Sequence, residues 1–141
     1  MNRLLILSLA VFLTACSTKN VNFEDAVFVD NARNYSQDLP SEIKGNEARL
    51  IVTRDSGFFG SACSLRIYIN EFQLAELEPS EKVLLKLKEN DYILTVSGNG
   101  KALCGSDNWD AYEVSIDKGQ TKKLRVGGDI NKGFYIRPTA F

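Results

Sequence analysis

The chain predicts an all-β fold, an antiparallel β-sandwich of about seven short strands. Three observations carry that reading. From Glu47 onward, apolar and polar residues alternate with a period of two in short runs. Turn-forming residues interrupt those runs at intervals of about 8–15 residues. No stretch of that region repeats at the spacing of an amphipathic helix.

The first element, residues 1–15, reads as a signal peptide. Met1-Asn2-Arg3 supplies a short positive start, and in Leu4–Leu13 (LLILSLAVFL) only Ser8 is polar. Ten helical residues measure about 15 Å. A spanning helix must cross roughly 30 Å of hydrocarbon, so this stretch is too short for an anchor and fits the apolar part of an export leader. Leu13-Thr14-Ala15-Cys16 then places an apolar residue and two small ones before a cysteine. That string resembles the bacterial lipobox. The resemblance implies diacylglycerol transfer to the Cys16 thiol, cleavage before it, and a further fatty acyl chain such as palmitate on the new amino terminus. Each buried methylene contributes about 0.8 kcal/mol, so one chain holds reversibly and two or more hold firmly. Ser17 stands where inner-membrane retention signals carry Asp, which by the same resemblance points to the outer membrane, facing the periplasm. Surface display, and a plain export signal with a chance cysteine, are the alternatives.

Residues 16–45 follow as the lipidated cysteine and a tether. The span is polar and poorly periodic, with Asn, Asp, Ser and Pro throughout. Phe23 and Val27 would share a helical face, Val27 and Val29 a strand face, and periodicity does not choose between them. A flexible chain of about 29 residues spans roughly 30 Å. The expectation is a spacer with a segment that docks on the domain, the alternative a partner-binding peptide.

The domain occupies residues 46–141. Leu50 and Val52 alternate with Ile51 and Thr53. Leu65, Ile67 and Ile69 oppose Arg66, Tyr68 and Asn70, and Val83, Leu85 and Leu87 oppose Leu84, Lys86 and Lys88. Tyr92, Leu94 and Val96 form another run, then Tyr112, Val114 and Ile116 against Glu113, Ser115 and Asp117. Leu124 and Val126 oppose Lys123 and Arg125, and Phe134 with Ile136 ends the series. Turns are expected at Asn70-Glu71, Glu89-Asn90-Asp91, Asp117-Lys118-Gly119-Gln120 and Gly127-Gly128-Asp129. One apolar face per strand suits antiparallel sheets that bury a single side.

The stretches Ala48–Arg54, Leu65–Glu71, Leu74–Leu77, Val83–Leu87 and Tyr92–Val96 together resemble a group of small bacterial lipoproteins with an uncharacterised β-sandwich domain, and more distantly PEGA domains. Where those families commonly carry Pro-Gly and Asp-Gly turns, this chain has Glu89-Asn90-Asp91 and Asn70-Glu71. The likeness covers about 70 residues and implies the fold, with almost nothing about function.

Three cysteines divide as one plus two. With Cys16 given to lipid, Cys63 and Cys104 form an even pair in an exported chain, which reads as a disulfide. It would close a loop of about 41 residues, worth roughly 4 kcal/mol at the upper end. Redox-active thiols or a metal pair are the alternatives, without Cys-x-x-Cys spacing to support them. The bridge would join loop Asp55–Ser64, holding Phe58 and Phe59, to loop Ser97–Asp110, holding the sole tryptophan, Trp109. Glycine-rich backbone with embedded aromatics makes Phe58, Phe59 and Trp109 the candidate interaction surface. The same three rings could instead plug one end of the sandwich.

Composition excludes several activities. Basic and acidic residues number 17 and 18, which gives no basic stripe for nucleic acid and no polybasic membrane patch. There is no histidine, so the commonest general base and metal ligand are missing and no Ser-His-Asp set is possible. Asp107 and Asp110 offer too few donors for calcium and read as solvated loop charges. No metal, cofactor or catalytic residue is expected. The expectation is a non-enzymatic protein, held on the membrane by its lipid, that contacts an envelope protein as an accessory or assembly module. The alternative is an inhibitor of a periplasmic or incoming enzyme such as lysozyme, to whose inhibitory loop Ser97-Gly98-Asn99-Gly100 bears a faint likeness.

Overall fold

Leu65, Ile67 and Ile69 are wholly buried, while Arg66 and Tyr68 between them are partly exposed. A run of that kind can satisfy its backbone only by pairing sideways and its apolar face only by covering another sheet. The computed structural model describes residues 18–57, 60–101, 104–105 and 107–140. Among them eleven strands form: β1 Thr18–Lys19, β2 Val27–Phe28, β3 Lys44–Arg54, β4 Ser56–Gly57, β5 Leu65–Ile69, β6 Phe72–Leu77, β7 Glu81–Leu87, β8 Asn90–Gly98, β9 Trp109–Ile116, β10 Thr121–Asp129 and β11 Gly133–Pro138. Two single turns of 3-10 helix, Asn31–Arg33 and Ser36–Asp38, complete the described elements.

Two sheets make the sandwich. One has five strands in the order β11, β10, β3, β7, β2, and the other four in the order β6, β5, β8, β9. Strands β1 and β4 form a separate two-stranded ribbon. The inner faces meet in one core: Leu50, Val52, Val83, Leu85, Leu124, Val126 and Ile136 from the first sheet, and Leu65, Ile67, Ile69, Leu77, Leu94, Val96, Val114 and Ile116 from the second. The all-β sandwich is therefore as the alternation predicts.

Several details differ from the sequence reading. Strand β6 escapes simple alternation because a bulge between Ile67 and Tyr68 shifts its register, burying Leu74 and Ala75 in succession. The five-stranded sheet is mixed: β3 pairs with β10 in parallel, Arg49 beside Thr121 through Arg54 beside Val126. Parallel pairing arises because Asp117–Gln120 is no hairpin. It carries the chain from β9 in one sheet to β10 in the other. The turn expected at Gly127-Gly128-Asp129 lies inside β10, and the reversal comes at residues 130–132. Gly127 serves close approach instead: a Cβ there would stand 2.5 Å from the Tyr135 hydroxyl.

The span expected as a tether joins the sandwich from Thr18 on. Val29, Leu39 and Ile43 enter the core, and β3 already begins at Lys44. Arg33 makes a paired contact with Glu81, Nη1 to Oε2 at 2.6 Å and Nη2 to Oε1 at 2.7 Å. Phe23 lies between the ammonium groups of Lys82 and Lys123, 4.4 and 5.0 Å from its centroid. Those lysines flank Thr53 and Ile51, so this strap covers the outer face of the central strand. That explains why both faces of β3 are buried from Leu50 onward.

Candidate functional site

Strand pairing sorts the connections to two ends. At one end lie the close of β3, the starts of β5, β7, β9 and β11, and the closes of β6, β8 and β10. The loops that follow β4 and β8 meet there through the Cys63–Cys104 disulfide, whose Cα atoms are 5.5 Å apart. The opposite end carries Asn70-Glu71, Lys88-Glu89 and Asp117–Gln120.

A half-buried carboxylate, Glu76, joins the two stapled loops beside the disulfide. Ser64 Oγ donates to Glu76 Oε1. Asn99 Nδ2 donates to Ser64 Oγ at 2.8 Å and reaches the same carboxylate at 3.4 Å. Burial pushes the Glu76 carboxyl upward, but the Ser64 and Asn99 hydrogen bonds, with the Arg66 and Lys101 charges, outweigh it and hold the group below its ordinary value. Arg54 closes the underside, donating from Nη1 to the Leu77 carbonyl at 2.5 Å and from Nη2 to Gly60 at 2.6 Å. Burial lowers its pKa to about 10, with Glu78 and Glu81 opposing the shift, so the guanidinium stays charged at neutral pH.

A second polar knot fastens residues 18–21. Asp55 accepts from the Tyr135 hydroxyl at 2.7 Å and from Arg125 Nε at 2.9 Å on Oδ2, and from the Val21 amide at 3.1 Å on Oδ1. Arg125 Nη2 donates to Asn20 Oδ1, and Thr18 Oγ1 donates to the Gly128 carbonyl. Burial raises the Tyr135 pKa, the hydrogen bond to Asp55 adds to that, and Arg125 opposes it. Neither knot was evident in the sequence. The glycine at 127 inside an alternating run is the one clue, since such a glycine marks a place where another group approaches the backbone.

The remaining candidates sort as follows. Cys16, Phe58 and Phe59 lie outside the described residues. Trp109 opens β9 opposite Ser97 and is 64 % exposed, so its ring stands in solvent and closes nothing. Asp110, read as a solvated loop charge, instead binds structure: its Oδ2 accepts the Ile136 amide at 3.0 Å, linking β9 to β11. Ser97 and Asn99 are buried, and the Asn99 side chain is occupied with Ser64, Glu76 and the Lys101 amide. Asp107 is exposed. Beside the disulfide runs an open polar groove of about 360 Å3, lined in part by Arg33, Cys63, Glu76, Asn99 and Lys101.

The arrangement defines a sandwich with one end stapled and tied to residues 18–21. No family model, curated protein or solved structure matches it.

Proposed function

We propose that this chain is a lipid-anchored protein of the bacterial cell envelope that works by contact and not by catalysis, as an accessory or assembly module. The carrying observation is the partition of its cysteines. Cys63 and Cys104 are bonded to each other, which suits an oxidising compartment and leaves Cys16, at the end of a lipobox-like string, as the odd thiol. Ser17 favours the outer membrane, facing the periplasm. The contact reading is supported by how the stapled end uses its polar groups. Glu76, Asn99, Asp55 and Arg125 satisfy one another or nearby backbone, while Trp109 and Ile130 stay exposed there and Phe72 and Ile93 stay exposed at the opposite end, the end left free to meet a protein. Exposed apolar side chains on a rigid scaffold are contact chemistry.

Cells fed an alkyne analogue of palmitate should label the protein, and Cys16→Ser should abolish the label and release the chain from the outer-membrane fraction. An unlabelled wild type sinks the anchor. Photo-crosslinkers at Phe72 and Ile93, both exposed at the end opposite the disulfide, should capture an envelope protein. Capture at neither position sinks the contact reading.

A further inference from the structure

Where the chain enters the sandwich fixes how the molecule would sit on its lipid. Thr18 pairs with Gly57 in the β1–β4 ribbon, Asn20 is held by Arg125, and Val21 by Asp55. Cys16 stands two residues before Thr18 in the sequence, and two residues of chain reach at most about 7 Å. A spacer of roughly 30 Å, as a free tether would give, is absent. Any lipid on Cys16 must leave the domain beside this ribbon, at the stapled end.

The exposed apolar side chains are distributed to match. Ile130 is 72 % exposed at the tip of the β10–β11 hairpin, whose Gly128 accepts the Thr18 hydroxyl. Trp109 follows Asn108, whose side chain packs so closely on Gly133 that a Cβ there would stand 1.9 Å from Asn108 Nδ2. Asp129 pairs with Gly133, so both exposed residues adjoin the tip of one hairpin. Val27, nearly as exposed, pairs with Glu81 at the start of β7 on this end as well. The opposite end offers less: Ile93 at 48 % and Phe72 at 36 %.

We propose that the stapled end is a membrane-contact surface, with Trp109 and Ile130 seated in the interfacial layer of the bilayer and the Asn70 end pointing away. The proposal rests on the lipid-anchor reading and names the partner of the stapled end as lipid. Tryptophan suits that depth because its ring is apolar and its N–H still finds a wet partner. Charge contributes little: the exposed Lys19, Lys101 and Lys132 face the exposed Asp107 and Glu78, which leaves an excess of one positive charge among them.

Trp109 is the only tryptophan, so native fluorescence reports one residue. The full acylated chain is reconstituted into vesicles of phosphatidylethanolamine and phosphatidylglycerol doped with phosphatidylcholine, either plain or brominated on its acyl chains. Flotation with the vesicles reports anchoring, and loss of emission in the brominated set reports orientation. Trp109 emission should be blue-shifted and lost with bromine. In a Trp109→Phe background, Ile130→Trp should be quenched alike, and Lys118→Trp, in the turn at the opposite end, should not. A chain that floats with Trp109 emission equal in both sets overturns the orientation and leaves the anchor standing, with a protein as the occupant of that end. Equal quenching at positions 109 and 118 overturns it too. A chain that does not float removes both readings.

Discussion

Glu76 shows how a single carboxylate decides the state of two loops. It accepts from Ser64 and Asn99 and faces Arg66, whose Nε lies 4.0 Å from Oε2 without a hydrogen bond of its own. Glu76→Gln keeps the shape and removes the charge, and should cost about 1–3 kcal/mol in urea denaturation at neutral pH. The pH dependence has a definite sign. Because the folded carboxyl is held below its ordinary 4.5, its contribution is complete above that value and fades as pH falls through the lower folded one. Stability of the wild type should therefore drop on acidification below about pH 4.5, and Glu76→Gln should flatten that limb. Asp55 is the more costly loss. Its side chain is fully buried against Arg125, so Asp55→Ala strands a guanidinium and should destabilise by about 3–5 kcal/mol. Gly127→Ala should act on the same knot by displacing Tyr135. A double-mutant cycle with Asp55→Ala should then show strong coupling, whereas additive losses would mean that the two act separately.

At the level of elements, legibility follows the regularity of the pleat. Strands β5, β7, β8 and β9 announce themselves because each buries one face, so Leu65, Val83, Tyr92 and Val114 each head a clean alternation. Strand β6 is obscured by its bulge, and β2 by its length of two residues. The Gly127-Gly128 pair misleads because glycine is read locally as a turn former, while here a side chain 8 residues later along the chain needs the room. The site was half legible. Cysteine parity finds the disulfide, yet the polar knots depend on pairs such as Asp55 with Tyr135, whose separation of 80 residues leaves no local pattern. The disulfide itself should contribute up to roughly 4 kcal/mol by loop closure. Reduction, or Cys63→Ser with Cys104→Ser, should lower the denaturation midpoint by a matching amount, and an unchanged midpoint would show that the Glu76 network alone holds the end.

For the molecule as a whole, the boundary expected between tether and domain at residues 45 and 46 moves toward the amino terminus. Val29, Leu39 and Ile43 belong to the core and Phe23 roofs β3, so a chain starting at Asn46 should lose its cooperative unfolding transition, while one starting at Ser17 should keep it. Calorimetry of the two separates these outcomes, and equal transitions would make residues 17–45 dispensable. The parallel pairing of β3 with β10 adds a constraint on timing. Arg49 waits for Thr121, about half the chain further on, so in synthesis or translocation from the amino terminus the central strand lacks one neighbour until most of the polypeptide has emerged. Until then its open edge can pair with other chains, and a chaperone that shields nascent β3 should reduce aggregation during synthesis.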